Sequence, residues 1–214
     1  MVEVIPAQKL NIIDVERKFG LTQTEDEQFF PEWNENLPDI TDLEKQALDR
    51  VKLNYISLVK RRQISENMVK MTVLGPMLVW TDFYQLPFDI LDEQTVDLAV
   101  ADRDEIVRGR LDIVVLQDHF WLLTIESKNA GLSLLNGIPQ ALFYMMANPH
   151  PTPTVYGLVT NGDDFLFIKL SKQDNPQYAL SGKFSLSTRR ENELYTVMKI
   201  LKKIGHLVRE NPHA

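Results

Sequence analysis

A strand, a helix and a second strand follow one another in the middle of the chain, and this order constrains the fold more than any other feature. Phe120–Lys128 is rich in large apolar residues, which predicts a strand. The segment 133–147 predicts a helix that begins nearer Ile138, because a glycine and a proline occupy its first positions. Val155–Val159 predicts the next strand. Because strands joined through a helix run in the same direction, this order predicts a parallel pair.

Three further strands and a terminal helix surround this central unit. Thr95–Val100 and Val107–Leu116 precede it, and the short turns that join them to the next strand predict an antiparallel meander. Phe165–Leu170 follows it after an Asn-Gly-Asp sequence that is typical of a hairpin turn. A last helix is predicted over 189–208. We therefore expect an α/β fold with a central mixed sheet of about five strands, flanked by helices on both sides.

The N-terminal part of the chain predicts two helices. Thr41 and Glu44 fit a capping box, so a helix is expected to begin there. Residues 60–62 are all basic, which the helix dipole favours at a carboxyl end and which would also suit contact with phosphate. Ser65 predicts the cap of a second helix, inside which a Gly-Pro pair predicts a bend or a break. The acidic stretch Thr22–Asp39 before both helices predicts a loop.

Composition excludes several classes of protein. The chain has no cysteine, which excludes disulfides, zinc–thiolate sites and a cysteine nucleophile, and which is compatible with the cytoplasmic location that we expect. No apolar run approaches about 18 residues, so no membrane span and no membrane partner are expected. The four histidines show no metal-ligand spacing. The net charge of −7 counts against tight nucleic-acid binding without a partner, although acidic metal ligands account for part of it.

Three charged residues at neighbouring strands predict a metal-dependent hydrolytic site. Asp112 lies in one strand, and Glu126 and Lys128 lie near the end of the next. Glu126 and Lys128 are two residues apart, so their side chains point to the same face. Pairing about a turn near Asp118 would set Asp112 roughly opposite 124–126, which brings two carboxylates within reach of one metal ion. A cation there lowers the pKa of an attacking water, and Lys128 can hold that water or offset charge on the phosphorane.

These residues also admit explanations that involve no catalysis. Glu126 and Lys128 can form an ion pair at a solvated sheet edge, and an Asp followed by Glu-x-Lys often arises by chance. Asp97 is an alternative to Asp112, because it also lies in a predicted strand. That strand is one further from Glu126, so Asp112 is the preferred ligand.

The helix after these residues adds a resemblance to a known family. Asp112, then Glu126-Ser127-Lys128, then Gln140 and Tyr144 in Gln-Ala-Leu-Phe-Tyr follow in an order that resembles the PD-(D/E)xK nuclease superfamily, with the Gln-x-x-x-Tyr motif of its exonuclease-like branch. The chain is most similar to the N-terminal nuclease domain of type I restriction enzyme R subunits. Leucine precedes Asp112 where the motif has proline, and there is no Walker-type motif of the translocating motor.

The resemblance implies a fold, an activity and a metal. It implies a restriction-endonuclease-like nuclease domain over 64–214, with an N-terminal extension and helix over 1–63, expected to form one compact unit. It implies cleavage of DNA phosphodiester bonds, internally or from an end, with Mg²⁺ or Mn²⁺ as cofactor. Asp112, Glu126 and the backbone carbonyl of Ser127 would bind the metal.

Four residues are given catalytic or supporting roles by the same resemblance. Lys128 would assist the water, and Gln140 and Tyr144, four residues apart on one helix face, would support the site. The family also places an acid on an early helix near the metal, where Glu66 fits by position. Three of these residues also have explanations that involve no catalysis. Tyr144 can be a core aromatic, Gln140 a surface residue, and Glu66 an acid favoured by the helix dipole.

Two other functions remain alternatives to a DNA nuclease. The first is a non-catalytic nucleic-acid-binding or assembly module that keeps the nuclease fold, which the acidic balance and the absence of motor motifs favour. The second is an RNA-processing enzyme that uses the same site. DNA is the expected substrate, while a homodimer and a partner protein are both left open.

Overall fold

The computed structural model describes residues 3–88, 90, 95–100, 105–110, 115–116, 120–124, 134–147, 154–173, 175–188 and 191–210. Its α-helices are α1 (Ile12–Phe19), α2 (Asp42–Val59), α3 (Glu66–Val69), α4 (Gly75–Trp80), α5 (Ile138–Ala147) and α6 (Leu194–Glu210). Its strands are β1 (Glu3–Pro6), β2 (Thr22–Gln23), β3 (Thr95–Val100), β4 (Glu105–Arg110), β5 (Val115–Leu116), β6 (Phe120–Thr124), β7 (Thr154–Thr160), β8 (Asp164–Ser171), β9 (Gln177–Leu180) and β10 (Phe184–Ser185). None of the helices in the described residues combines the length and the apolar character that crossing a lipid bilayer requires.

Five strands form the centre of the larger sheet, in the order β9-β8-β7-β6-β5. β6 and β7 are parallel, with Phe120 opposite Tyr156 and Thr124 opposite Thr160, which confirms the predicted crossover through α5. The other central pairs are antiparallel. The short strands β2 and β10 join this sheet beside β9 and β8. The expected α/β class, with a mixed sheet flanked by helices, is therefore confirmed.

A smaller sheet has the order β1-β4-β3. The antiparallel pairing of β3 with β4 agrees with the predicted meander. Of the strand predicted over Val107–Leu116, the part in β4 pairs in the smaller sheet, and β5 pairs with β6 in the larger one. Residues 111–114, which separate β4 from β5, lie outside the described residues. β1, which was not predicted, pairs with β4 in parallel.

The central pair β7 and β8 is buried on both faces. Side chains alternate between the faces of a strand, and both sets here are apolar. One set packs against the helices α2, α3, α4 and α6, and comprises Tyr156, Leu158, Phe165 and Phe167. The other set packs against α5 and α1, and comprises Val155, Val159, Leu166, Ile168 and Leu170. The sheet thus forms the middle layer of three.

The N-terminal segment contains more regular structure than its sequence predicts. α1 begins at a capping box of Asn11 and Asp14 and ends at Gly20, whose φ of 65° is the left-handed conformation that glycine favours. Within the acidic stretch that was predicted to be a loop, β2 pairs with β9, and a 3₁₀ turn covers Pro31–Trp33. These elements are too short to show a clear hydrophobic period in the sequence.

The second predicted helix is continuous but irregular. The predicted cap is confirmed, since the Ser65 hydroxyl accepts a hydrogen bond from the backbone of Met68. The chain then passes from α3 through a π-helical segment, Lys70–Leu74, into α4. The helix does not break at Gly75-Pro76: the π-helical segment ends directly before Gly75, and Pro76 lies in the first turn of α4.

A partly buried ion pair ties the N-terminal segment to the centre of the sheet. The carboxylate oxygen Oε1 of Glu32 accepts a hydrogen bond from the Tyr156 hydroxyl at 2.9 Å and contacts Nζ of Lys169 at 2.6 Å. Tyr156 and Lys169 face each other across β7 and β8. Burial and the nearby Glu32 carboxylate raise the pKa of Tyr156 far above its ordinary value, so its hydroxyl stays a donor.

The start of α2 is anchored through Glu44, as the capping box predicts. The Glu44 carboxylate accepts a hydrogen bond from the Thr41 backbone at 2.6 Å and pairs with Lys202 of α6. Burial alone would raise the pKa of Glu44, but the hydrogen bonds from Lys202 and Thr41 together hold that pKa below its ordinary value. The ionised carboxylate is therefore more stable in the folded chain than in the unfolded one.

Glu44→Gln should destabilise the fold in a pH-dependent way. The carboxylate stabilises the fold fully above the unfolded pKa of about 4.3, and this contribution is lost as the pH falls through the lowered folded pKa. We expect the free energy of unfolding in urea to fall by about 1 to 3 kcal/mol at neutral pH, and by less in acid. Glu35→Gln, an exposed control, should change it little. An equal loss for Glu44→Gln at neutral and acid pH would contradict the role of the carboxylate.

Candidate functional site

The parallel strands β6 and β7 end side by side, and we call this end of the larger sheet the carboxyl edge. It is defined by Thr124 and Thr160, which are the last residues of the two strands and lie opposite each other. Thr160 is buried and its hydroxyl donates to the backbone carbonyl of Asp164, which closes the turn into β8. The sequence places Glu126 two residues after Thr124, so the chain leaves β6 at this edge just before the predicted metal ligands.

The helix that begins with Glu66 lies against the carboxyl edge from one side of the sheet. A Cβ atom placed on Gly162, in the turn after β7, would lie 2.7 Å from Cγ2 of Val69 in α3 and 3.0 Å from Cε2 of Tyr55 in α2. Gly162 has a φ of 91°, so both its backbone and its surroundings favour glycine. This contact fixes α3 beside the turn, and Glu66 is the first residue of that helix, three residues before Val69.

Glu66 already has an ionic partner on its own helix. Its carboxylate oxygen Oε1 lies 2.6 Å from Nζ of Lys70, and its side chain is only 17% exposed. The π-helical segment begins directly at Lys70. Single π-helical turns occur often at functional sites, because the extra residue shifts the side chains that follow. The position of Glu66 is compatible with its predicted role, and its ion pair with Lys70 is also a sufficient structural reason for an acid there.

α5 approaches the carboxyl edge from the other side of the sheet. Its second half packs on β7, since a Cβ atom on Gly157 would lie 2.8 Å from the sulfur of Met145. Because α5 connects the end of β6 to the start of β7, its first turn lies towards the carboxyl edge. Gln140 is in that first turn, about 7.5 Å along the helix axis from Met145.

Gln140 and Tyr144 lie on one face of α5, as predicted, and they also interact directly. The side-chain amide Nε2 of Gln140 donates a hydrogen bond to the Tyr144 hydroxyl at 3.0 Å. Tyr144 is buried, at 1% exposure, whereas Gln140 is half-buried. Tyr144 is therefore a core aromatic whose hydroxyl orients the more accessible Gln140.

Four of the predicted site residues fall where the structure gives no description. Asp112, Glu126, Ser127 and Lys128 lie outside the described residues, so their predicted roles stay predictions. The register nearest to them agrees with the predicted turn at position 118, because Val115 pairs with Trp121 and Leu116 with Phe120. Within the described ranges, no group of three or more histidine, cysteine or acidic residues is arranged to hold a metal ion.

Asp97, the alternative to Asp112, lies in a different sheet from β6. It belongs to β3 and is opposite Arg108 of β4 in the smaller sheet. β3 therefore does not pair with the strand that leads to Glu126.

The carboxylates of the β7–β8 turn already interact with other groups of the same chain. The predicted hairpin is confirmed, with the Asn161 side chain accepting hydrogen bonds from two backbone groups of the turn. Asp163 accepts from the backbone and the hydroxyl of Ser187, both at 2.9 Å, and Asp164 pairs with Lys183 at 3.2 Å. Burial, with these two carboxylates nearby, raises the pKa of Tyr55 well above its ordinary value. The turn therefore supports the edge rather than supplying metal ligands.

The contact between Gly162, Val69 and Tyr55 was not predicted, although it positions Glu66. The sequence pattern identified Gly162 only as a turn residue. A glycine that follows asparagine in a hairpin has a sufficient local explanation, so nothing in the sequence indicates that two helices also pack against it.

No family model and no curated protein matches the chain. The resemblance noted from the motif residues therefore has no independent support from these comparisons. The functional assignment depends on the chemistry and the placement of the residues themselves.

Gly162→Ala should destabilise the fold more than the same change at another left-handed glycine. The new methyl group would overlap Val69 and Tyr55, so we expect a loss of roughly 2 to 4 kcal/mol in the free energy of unfolding by urea. Gly20→Ala is the matched control: its φ is 65°, and a Cβ there would meet no atom within 4 Å. The backbone alone should cost about 1 kcal/mol at Gly20. Equal losses would show that the turn does not hold α3 in place.

Proposed function

We propose that this chain is a metal-dependent nuclease with a restriction-endonuclease-like fold that hydrolyses the phosphodiester bonds of DNA. The observation that carries the proposal is the convergence of three elements at the carboxyl edge. β6 ends there two residues before Glu126, α3, which begins with Glu66, packs beside the turn after β7, and α5, which carries Gln140 in its first turn, packs on the other face of β7. These are the elements on which the motif residues were predicted from the sequence.

The register of β5 and β6 supports the pairing of the two proposed metal ligands. If the described register is continued by three residues, position 112 faces Thr124 at the carboxyl edge. Glu126 and Lys128 follow Thr124 by two and four residues. Alternate residues of an extended chain point to the same face, so in such a chain Thr124, Glu126 and Lys128 would share one face. This register predicts that Asp112 and Glu126 approach each other on one face.

The donor set suits a hard divalent cation. The carboxylates of Asp112 and Glu126 and the carbonyl of Ser127 are oxygen ligands, which Mg²⁺ and Mn²⁺ prefer. When bound, such an ion supplies an activated water and polarises the phosphate. The ammonium group of Lys128 holds the attacking water and offsets the negative charge that develops on the phosphate oxygens.

Gln140 positions groups at the site through its hydrogen bond to Tyr144. An exposed glutamine samples many rotamers, but this one is tied to a buried hydroxyl at 3.0 Å. Its amide therefore presents hydrogen-bonding atoms in a fixed orientation to substrate or to a ligand-bound water. Precise placement of such groups contributes to the rate, since small displacements are costly in catalysis.

One observation favours the alternative of a non-catalytic module with the same fold. The Glu66 carboxylate is engaged by Lys70, so this acid is not arranged primarily for a metal. Binding of Mn²⁺ that is lost in Asp112→Ala would support the nuclease, and an absence of metal binding would support the non-catalytic module.

Lys128→Ala should abolish cleavage of DNA. We expect wild-type protein with Mg²⁺ or Mn²⁺ to cut at least one of linear, circular and single-stranded DNA, and the variant to be slower by roughly 100-fold or more. Chelator should stop the wild-type reaction. Lys45→Ala, which removes an exposed lysine from the start of α2, is the control and should cut normally. Equal rates for Lys128→Ala and wild type, or no cutting by folded wild type on any substrate, would refute the proposed site.

Tyr144→Phe should slow cleavage while leaving the fold nearly intact. It removes the hydroxyl that orients Gln140, so we expect a decrease in kcat of about 3- to 30-fold, against a stability loss near 1 kcal/mol. Tyr195→Phe is the matched control, because it removes a tyrosine hydrogen bond to Asp49 on α2 at 2.7 Å. The two variants should lose similar stability, and only Tyr144→Phe should lose activity. Unchanged kcat in Tyr144→Phe would leave the tyrosine with a purely structural role.

A further inference from the structure

Three consecutive basic residues follow the end of α2 and form an exposed cluster. We call Lys60, Arg61 and Arg62 the basic run. All three side chains are exposed. The chain still turns as a helix there, because the backbone N–H groups of Arg61 and Arg62 donate to the Leu58 carbonyl at 3.0 and 3.1 Å. The basic run thus has a defined backbone and lies on the surface.

α2 runs towards the carboxyl edge, so the basic run lies near the proposed site. Residues along α2 contact partners progressively nearer that edge: Glu44 pairs with Lys202, Asp49 bonds to Tyr195, Lys52 donates to the Thr188 carbonyl, and Tyr55 lies against Gly162. Lys60 follows Tyr55 by five residues, or about 7.5 Å of helix. α3, with Glu66, begins only a few residues later.

Only one of the three charges is used to end the helix. Nε of Arg61 donates to the Ser57 carbonyl at 2.9 Å, which satisfies a carbonyl at the end of α2. Among the described residues, no carboxylate forms an ion pair with Lys60 or Arg62. A favourable interaction with the helix dipole needs one cation, so two exposed cations remain for an external anion.

We infer that Lys60 and Arg62 bind backbone phosphates of the DNA substrate beside the carboxyl edge, while Arg61 holds the turn that presents them. The inference rests on the proposed nuclease function and names the surface that holds its substrate. A net charge of −7 opposes binding of nucleic acid at long range, so a local cluster of cations is needed to hold it. Phosphate contacts of this kind fix the position of DNA without reading its sequence.

The test measures DNA binding separately from cleavage. Lys128→Ala protein, in chelator, is titrated against a fluorescent duplex over a series of salt concentrations, with and without the added pair Lys60→Ala and Arg62→Ala. Each lost phosphate contact should lower the slope of log K against log salt by about 0.9, so we expect a decrease of about 1.8. At about 0.1 M salt the Kd should rise roughly 10- to 60-fold.

The matched control removes two lysines from another part of the surface. Lys199→Ala with Lys203→Ala on α6 changes the net charge equally, and Lys199 pairs with Asp39, which precedes α2 and lies away from the carboxyl edge. This control should keep the slope of the parent. A slope unchanged by the loss of Lys60 and Arg62, or lowered equally by both pairs, would overturn the inference, as would a parent that does not bind duplex DNA.

Measurements of cleavage separate a failure of the phosphate-binding surface from a failure of the proposed catalytic site. In protein that retains Lys128, replacing Lys60 and Arg62 by alanine should raise KM and leave kcat nearly unchanged. The reason is that their contacts with phosphate would be equally strong in the ground state and the transition state. Cleavage that depends on Lys128 but not on the basic run would refute the phosphate surface and keep the nuclease. Binding that depends on the basic run, with no cleavage by wild type, would keep the surface and refute the nuclease.

Discussion

The burial of β7 and β8 on both faces is the constraint on which the rest of the structure depends. A strand buried on both sides needs apolar residues at nearly every position, and both strands provide them. Two separate layers of helices must then cover the sheet, which α5 with α1 and α2 with α6 do. The polar residues that chemistry requires are consequently excluded from the middle of the sheet and restricted to its ends.

Glu32 and Lys169 show how charged side chains are stabilised beside this core. Lys169 lies in the middle of β8 with its side chain 15% exposed, and Glu32 meets it at 2.6 Å. Nζ of Lys169 also lies 5.5 Å from the ring centroid of Phe29, so an aromatic face compensates part of the lost hydration. Glu32 and Phe29 both come from the N-terminal segment, which makes residues before α2 part of the support of the sheet.

The long helices and strands could be predicted from the sequence, because the spacing of their apolar residues reflects which faces are buried. The start of α5 at Ile138, the capping box at Thr41 and the parallel pair β6–β7 all agree with the structure. The division of 107–116 between two sheets could not be predicted, since an apolar run indicates burial and does not identify the pairing partner. For the site, the shared helix face of Gln140 and Tyr144 was predicted, and the structure adds the hydrogen bond between them. The role of Gly162 depends on packing between helices distant in sequence, which the sequence does not indicate.

The crossover explains why the residues of the proposed site need not be close in sequence. In a parallel pair both strands end at the same edge, and the helix that joins them must start there and return. The end of β6 and the first turn of α5 therefore lie towards the same edge of the sheet, although Thr124 and Ile138 are 14 positions apart in the sequence. This places Gln140 at the carboxyl edge and Ala147 at the opposite end of the sheet. Any chemistry that combines the end of β6 with α5 must consequently use the first turn of that helix.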